Sequence, residues 1–235
     1  MHSAKEIDTL NTKSSSQPKK PSQKPPSGIT KFRKEWIEPI VIALILVFVI
    51  KTFIVQNFKI PSSSMEDTLL VGDHLFASKF IYGAKIPFTS LRLFKIRDPK
   101  PGDIIVFKYP RDPSKDYIKR CIAVGGQTVE IRYKKVYVDG ELIKTPEHAK
   151  FIDDNVLPKG MGPRDNYPLI TVPPNNMFVM GDNRDNSNDS RYWDFVPYEN
   201  LKGKALFVYW SINSDVPLYD LIHKIRWQRI FSLIK

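Results

Sequence analysis

Residues 40 to 50, IVIALILVFVI, are apolar without a break, and no other stretch of this 235-residue chain restricts its possible folds so tightly. Lys51 follows, and after it a second apolar stretch, TFIV. A helix counted from Ile37 to Phe58 would rise about 33 Å, close to the thickness of a bilayer core. Glu38 and Lys51 break the hydropathy, which leaves a buried amphipathic helix as an alternative. Both charges lie toward the ends of the segment, where a lysine stem carries its ammonium to the interface, and Trp36 stands where an interfacial anchor belongs. A cleaved signal peptide fits less well, because a polar leader of 35 residues precedes the run and no A-x-A site closes it. The expectation is one transmembrane helix over residues 36–57.

Charge orients that helix. Residues 1–35 hold eight basic and three acidic side chains, which is five of the formal surplus of eleven positive charges. Residues 11–28 are rich in Ser, Pro, Lys and Gln and lack apolar side chains that could order a backbone. Residues 1–35 are therefore expected to form a disordered basic tail in the cytoplasm, with residues 58–235 on the other side of the membrane. The basic surplus alone could suit nucleic acid, yet no zinc-ligand spacing, basic heptad region or RNA-binding aromatic motif accompanies it. A lipid bilayer is the expected partner and nucleic acid is not. Cys121 is the only cysteine, so the fold rests on its core and not on a disulfide.

Beyond the apolar segment the pattern is β. Asp103 to Tyr109, Tyr117 to Val124, Thr128 to Val138, Met177 to Met180 and Ala205 to Trp210 are short runs rich in β-branched and aromatic residues. Asp139-Gly140, between VYV and ELI, is a type I′ hairpin signal. Pro and Gly punctuate the runs, which favours an antiparallel β-barrel or sandwich-like domain over a parallel sheet. Residues 145–176 are proline-rich without clear periodicity and read as a long excursion. From Leu218 to Lys235, apolar residues recur at roughly helical spacing, predicting a helix that packs on the domain or lies in the membrane interface.

Three segments bear candidate chemistry. Ser62-Ser63-Ser64 lies just past the apolar helix, flanked by Ile60, Met65 and Leu69. Such a cluster is ordinarily a turn or cap, but this position suits a hydroxyl nucleophile beside a pocket for a small apolar side chain. A hydroxyl needs a base or a metal to attack an amide, and none of the four histidines sits in a catalytic motif. Lys119 stands in the strand YIKRCIAV, where alternation sets it on one face with Tyr117, Cys121 and Ala123. Burial there would favour its neutral amine; the alternative is an exposed edge-strand lysine. The third segment, Gly181 to Arg191, is almost wholly polar and follows the strand MFVM. It does not match the EF-hand spacing, so a hydrogen-bonded scaffold orienting the lysine and cross-linking charges such as Asp189 and Arg191 is expected. No metal and no cofactor are expected.

Together these segments resemble the bacterial type I signal peptidases. IPSSSM is similar to that family's nucleophile box, GDIIVF to its next strand, YIKR to its base-bearing box, and GDNRDNSNDSR with the following YWDFVP to its last box, in the same order over residues 30–235. The resemblance implies that Ser64 is the nucleophile and Lys119 the general base of a Ser/Lys dyad acting through an acyl-enzyme. It further implies that Ser62 joins the Ser64 N–H in the oxyanion hole, and that Ser187 orients the lysine. Ile60, Met65, Leu69, Tyr117 and Ile118 fall at substrate-lining positions, and Asp182, Arg184, Asp189 and Arg191 in the structural loop. Two positions depart from the family pattern, Asp67 in place of Pro and Gly126-Gln127 in place of Gly-Asp. The implied substrates are signal-peptide-bearing preproteins, and the implied location is the bacterial cytoplasmic membrane, single-pass, with the catalytic domain outside.

Two rival readings remain. A self-cleaving repressor would need a helix-turn-helix in place of the apolar span. A membrane-tethered β-domain that only binds partners would use the serines as turn residues.

Overall fold

The computed structural model describes residues 31–51, 55–85, 89, 91–217 and 219–235. The expected tail over 1–35 lies outside these residues up to position 30, as does Leu218. The chain divides into two units, residues 1–44 and 45–235.

Residues 31–51 are helical and exposed throughout. Pro39 has no N–H to return to the preceding turn, and that turn is a π-helical stretch, Arg33–Ile37, before the α-helix α1 (Glu38–Val49). Among the described residues no helix is long and apolar enough to cross a membrane. The helix expected over 36–57 is shorter at its far end, because Val55–Lys59 is a strand. Its sequence, VQNFK, interrupts the apolar run with polar residues, and it pairs residue by residue with the next strand.

The strands, in order, are β1 (Val55–Lys59), β2 (Asp73–Ser78), β3 (Ala84–Lys85), β4 (Arg92–Leu93), β5 (Ile104–Tyr109), β6 (Asp112–Val124) and β7 (Thr128–Arg132). There follow β8 (Lys135–Val138), β9 (Glu141–Leu142), β10 (Tyr167–Thr171), β11 (Asn176–Met180), β12 (Val196–Pro197), β13 (Leu201–Ser211) and β14 (Ser232–Leu233). All named pairings are antiparallel. The main sheet runs β1-β2-β13-β5-β6-β11-β12 with β14 on β13; a second runs β10-β7-β8-β9. The expected β-rich antiparallel class holds, but the main sheet ends on β1 and β12 and does not close into a barrel.

The unbroken apolar run IIVF in β5 has a physical cause. Ile104 and Val106 enter one core cluster with Ile60, Met65, Leu69 and Leu75, while Ile105 and Phe107 enter another with Cys121, Val179 and Trp193. A strand covered on both faces has no polar positions to alternate with. In β6 the alternation expected for Lys119, Cys121 and Ala123 breaks at a bulge opposite Phe178 and Val179. Cys121 stays with Tyr117 in the second cluster, whereas Ile122 and Ala123 both join a third.

Asp139 and Gly140 have φ of 52° and 81° and link Val138 to its partner Glu141, as the type I′ signal requires. The excursion is mostly irregular, and β10 returns it to the second sheet. The C-terminal stretch is not the helix its spacing predicts. It forms one helical turn, Leu221–Lys224, a 3₁₀ turn, Trp227–Arg229, and β14. Arg229 pairs with the buried Asp73 at 2.6 Å, and Ser232 and Leu233 pair with Val208 and Phe207, so the segment is held by tertiary partners instead of its own helical hydrogen bonds.

Candidate active site

β1 delivers the serine cluster. Its pairing with β2 continues one residue further through Ile60 N–H to the Asp73 carbonyl at 2.8 Å, after which Ser62 is extended and Ser63–Met65 form a 3₁₀ turn. Met65 and Leu69 are buried in the core, which pins that turn against the sheet. The next turn carries Asp67 at a φ of 71°, with Thr68 N–H donating to the Met65 carbonyl at 3.1 Å.

Lys119 pairs with Ile105 of β5, in the stretch of β6 beyond the last residue of β11 to pair with it, Met180 opposite Arg120. On that side the loop from Gly181 takes over. Lys119 is 4% exposed, and its Nζ lies 2.6 Å from Ser64 Oγ and 3.1 Å from the Ile118 carbonyl. Burial pushes its pKa down to about 8, with Arg191 acting in the same direction and Asp189 and Asp182 opposing. The exposed-lysine alternative does not hold, since the side chain is buried although β11 has ended at this position.

The loop holds the serine segment by its backbone. Asn183 N–H donates to the Ser64 carbonyl at 3.1 Å, and its side-chain amide donates to the Ser63 carbonyl at 3.2 Å and to Glu66 at 3.1 Å. A Cβ at Gly181 would lie 2.4 Å from the Ser64 carbonyl oxygen and 2.2 Å from Ser187 Oγ, so only glycine allows this approach. Below the loop, Asp182 accepts two bonds from the Arg120 guanidinium at 2.8 and 2.7 Å and one from Thr68 at 2.6 Å. Asp189 accepts from Arg191 at 2.8 Å through each oxygen and from Gly181 N–H at 3.0 Å. Burial opposes the ionisation of Asp189, but the Arg191 guanidinium holds its carboxyl below the usual range.

The structure thus brings Ser62, Ser64, Lys119 and Ser187 to one place, with Ser62 Oγ 3.4 Å from Ser64 Oγ. Ser187 Oγ is buried and, among the described residues, makes no bond to Lys119. A cleft of about 360 Å³ opens over Ser64 and Lys119, lined also by Ile60, Met65, Tyr117 and Ile118. Leu69, expected at its wall, is fully buried in the core and does not line it. The expected cross-link of Asp189 to Arg191 is present, whereas Arg184 makes no ion pair among the described residues and burial pushes it down to about 10.

A family model described as "Signal peptidase, peptidase S26" matches residues 33–210. The chain belongs to that family. Over 196 residues it is 37% identical to signal peptidase I of Pseudomonas aeruginosa, covering 72% of this chain and 69% of the relative. It is also 37% identical to signal peptidase I of Aquifex aeolicus, covering 76% of this chain and 84% of the other. A probable signal peptidase I-1 of Synechocystis is 38% identical over 183 residues, covering 75% and 82%. The protein is accordingly a hydrolase, a serine endopeptidase of the signal peptidase type.

Sequence reading overlooked several residues of this signal peptidase site. Arg120, next to the lysine, faces the opposite side of β6 and pairs with Asp182; the strand alternation was the available signal. Lys150 and Asp185 tie the excursion to the loop, through Lys150 N–H to the Asp182 carbonyl at 2.8 Å and Ile152 and Asp153 N–H to Asp185, each at 2.9 Å. Nothing in the irregular sequence of residues 145–176 marks that contact.

Proposed function

We propose that this protein removes N-terminal signal peptides from exported preproteins through a Ser64/Lys119 dyad and an acyl-enzyme. The observation that carries the reading is the 2.6 Å approach of Lys119 Nζ to Ser64 Oγ beneath an open cleft. As a neutral amine, Lys119 accepts the Ser64 proton as Oγ attacks the scissile carbonyl; the resulting ammonium then gives a proton to the leaving amine, and water hydrolyses the ester. Ser62 Oγ and the Ser64 N–H are assigned to the oxyanion, and Ser187 to steadying the lysine once substrate seals the cleft. Asp182, Arg184, Asp189 and Arg191 belong to the loop that holds Ser64 in place. Ile60, Met65, Tyr117 and Ile118 supply an apolar wall for small side chains before the cleaved bond.

In the same reading the helical segment anchors the enzyme in the bacterial cytoplasmic membrane, with the tail in the cytoplasm and the catalytic domain outside. The supporting observation is that Ile40 to Ile50 are each exposed on a helix among the described residues. Anchoring confines enzyme and preprotein to one surface and raises their effective concentration. Processing of a preprotein by intact protein, Ser64→Ala and Lys119→Ala tests the dyad. Normal processing by both variants would refute it. Labelling of Ser64 by an acylating probe distinguishes the enzyme from a β-domain that only binds.

A further inference from the structure

A second cleft, of about 350 Å³, adjoins the catalytic one. Asp116 lines the catalytic cleft, Lys202 lines the second, and a 2.7 Å ion pair between them forms the shared wall. The second cleft gathers Lys79, Lys85, Arg92, Lys108 and Lys202 around a single carboxylate, Glu199. Three of these cations have structural employment, Lys79 through its bond to the Lys51 carbonyl. Arg92 donates to the carbonyls of Gly83, Tyr198, Glu199 and Leu201, tying the β3–β4 hairpin to the start of β13, and Lys202 faces Asp116. Lys85 and Lys108 have no ion pair among the described residues. Like charges drawn together without a folding role repel one another and are matched by an anion.

The surroundings indicate which anion. Lys79 Nζ donates to the Lys51 carbonyl at 3.0 Å, and Lys51 is the last described residue of the helical stretch whose side chains Ile45 to Ile50 are exposed among the described residues. Lys85 pairs with Arg92 across the hairpin, and Leu91, Phe94 and Ile96 beside it are 65%, 68% and 72% exposed. The cations thus stand between two uncovered apolar surfaces, the arrangement an amphiphile with an anionic head would fill. We propose that this cleft binds the phosphate of an anionic phospholipid headgroup, with Lys85 and Lys108 as its principal contacts. Through the Lys202–Asp116 wall, the bound lipid fixes the catalytic cleft at a set height and tilt above the bilayer. The proposal rests on the membrane placement of the apolar helix.

The test titrates the full chain in nonionic detergent with dihexanoyl phosphatidylglycerol, dihexanoyl phosphatidylcholine, inorganic phosphate and an acidic peptide, against the variant Lys85→Gln/Lys108→Gln. Each lysine facing an anionic lipid is worth about fivefold in affinity, so the double variant should bind phosphatidylglycerol about thirtyfold more weakly, with Ser64 labelling by the acylating probe unchanged. Equal binding by variant and intact protein would overturn the proposal. So would phosphatidylcholine, phosphate or the acidic peptide binding as tightly as phosphatidylglycerol. Short-chain lipids need no anchor, so this outcome is separate from release of the chain from membranes by alkaline carbonate, which would refute the anchoring.

Discussion

Gly181 and Ser64 meet backbone to backbone: a methyl group on the glycine would lie 2.4 Å from the serine carbonyl oxygen. The loop after β11 therefore serves as the bed on which Ser64 rests. Gly181→Ala should push the 3₁₀ turn off its position and separate Ser64 from Lys119. Displacement of a reacting group by about 1 Å costs on the order of a hundredfold, so kcat on a preprotein should fall at least that far. Circular dichroism should show the fold retained.

The pH dependence follows from Lys119. In the proposed mechanism the neutral amine is the working form, so kcat/KM should rise with pH and level off above about 8. Lys119→Arg stays charged at every accessible pH and should be inactive throughout. A pH–rate profile on a signal-peptide substrate checks both.

Stability should move the opposite way from activity when this lysine is replaced. Its folded pKa is lowered from 10.5 to about 8, so between those values the unfolded chain binds more protons and stability rises with pH. Below pH 8 the buried charge costs on the order of 3 kcal/mol. Lys119→Met should therefore abolish processing yet resist urea better at pH 7, and the difference should shrink as pH climbs toward 10.5.

Asp67 occupies a left-handed position, φ 71°, in the turn after Met65. Asp67→Gly relieves that conformation and should raise stability by about 1 kcal/mol. Asp67→Pro, the residue of the family pattern, cannot adopt a positive φ and should destabilise the protein by more than the glycine gains. Thermal denaturation of both variants decides the matter.

Asp182→Asn leaves Arg120 buried without its carboxylate and also weakens the acceptor for Thr68. Breaking a buried pair on one side costs about 3–5 kcal/mol. A urea midpoint well below that of the parent chain is the expected result.

Local chemistry was legible in this sequence where one short segment determines its own geometry. DIIVFKY announces a strand and Asp139-Gly140 a tight hairpin, while Lys119 could be placed in a strand but not decided between buried and exposed. Features that depend on distant partners were hidden. VQNFK continues an apolar segment and reads as the end of a helix, yet β2 offers it a ladder. Leu221 to Ile234 carry a helical spacing that is overridden by Asp73, which draws in Arg229, and by β13, which pairs with Ser232 and Leu233. Ser64 and Lys119 could be singled out from their segments and the structure brings them together, but Leu69 is core, in the turn where its N–H bonds back to the Met65 carbonyl. The anchoring of the loop by Lys150 and Asp185 could not be read from a stretch without periodicity.

The hydrogen bonds from Asn183 to Ser63 and Ser64 reach back across 120 residues of chain. As a nascent polypeptide is synthesised from its N-terminus, its serine is made long before the clamp that steadies it. Hydrolytic power consequently arrives last in the life of each new molecule, and a half-made copy is harmless to its neighbours.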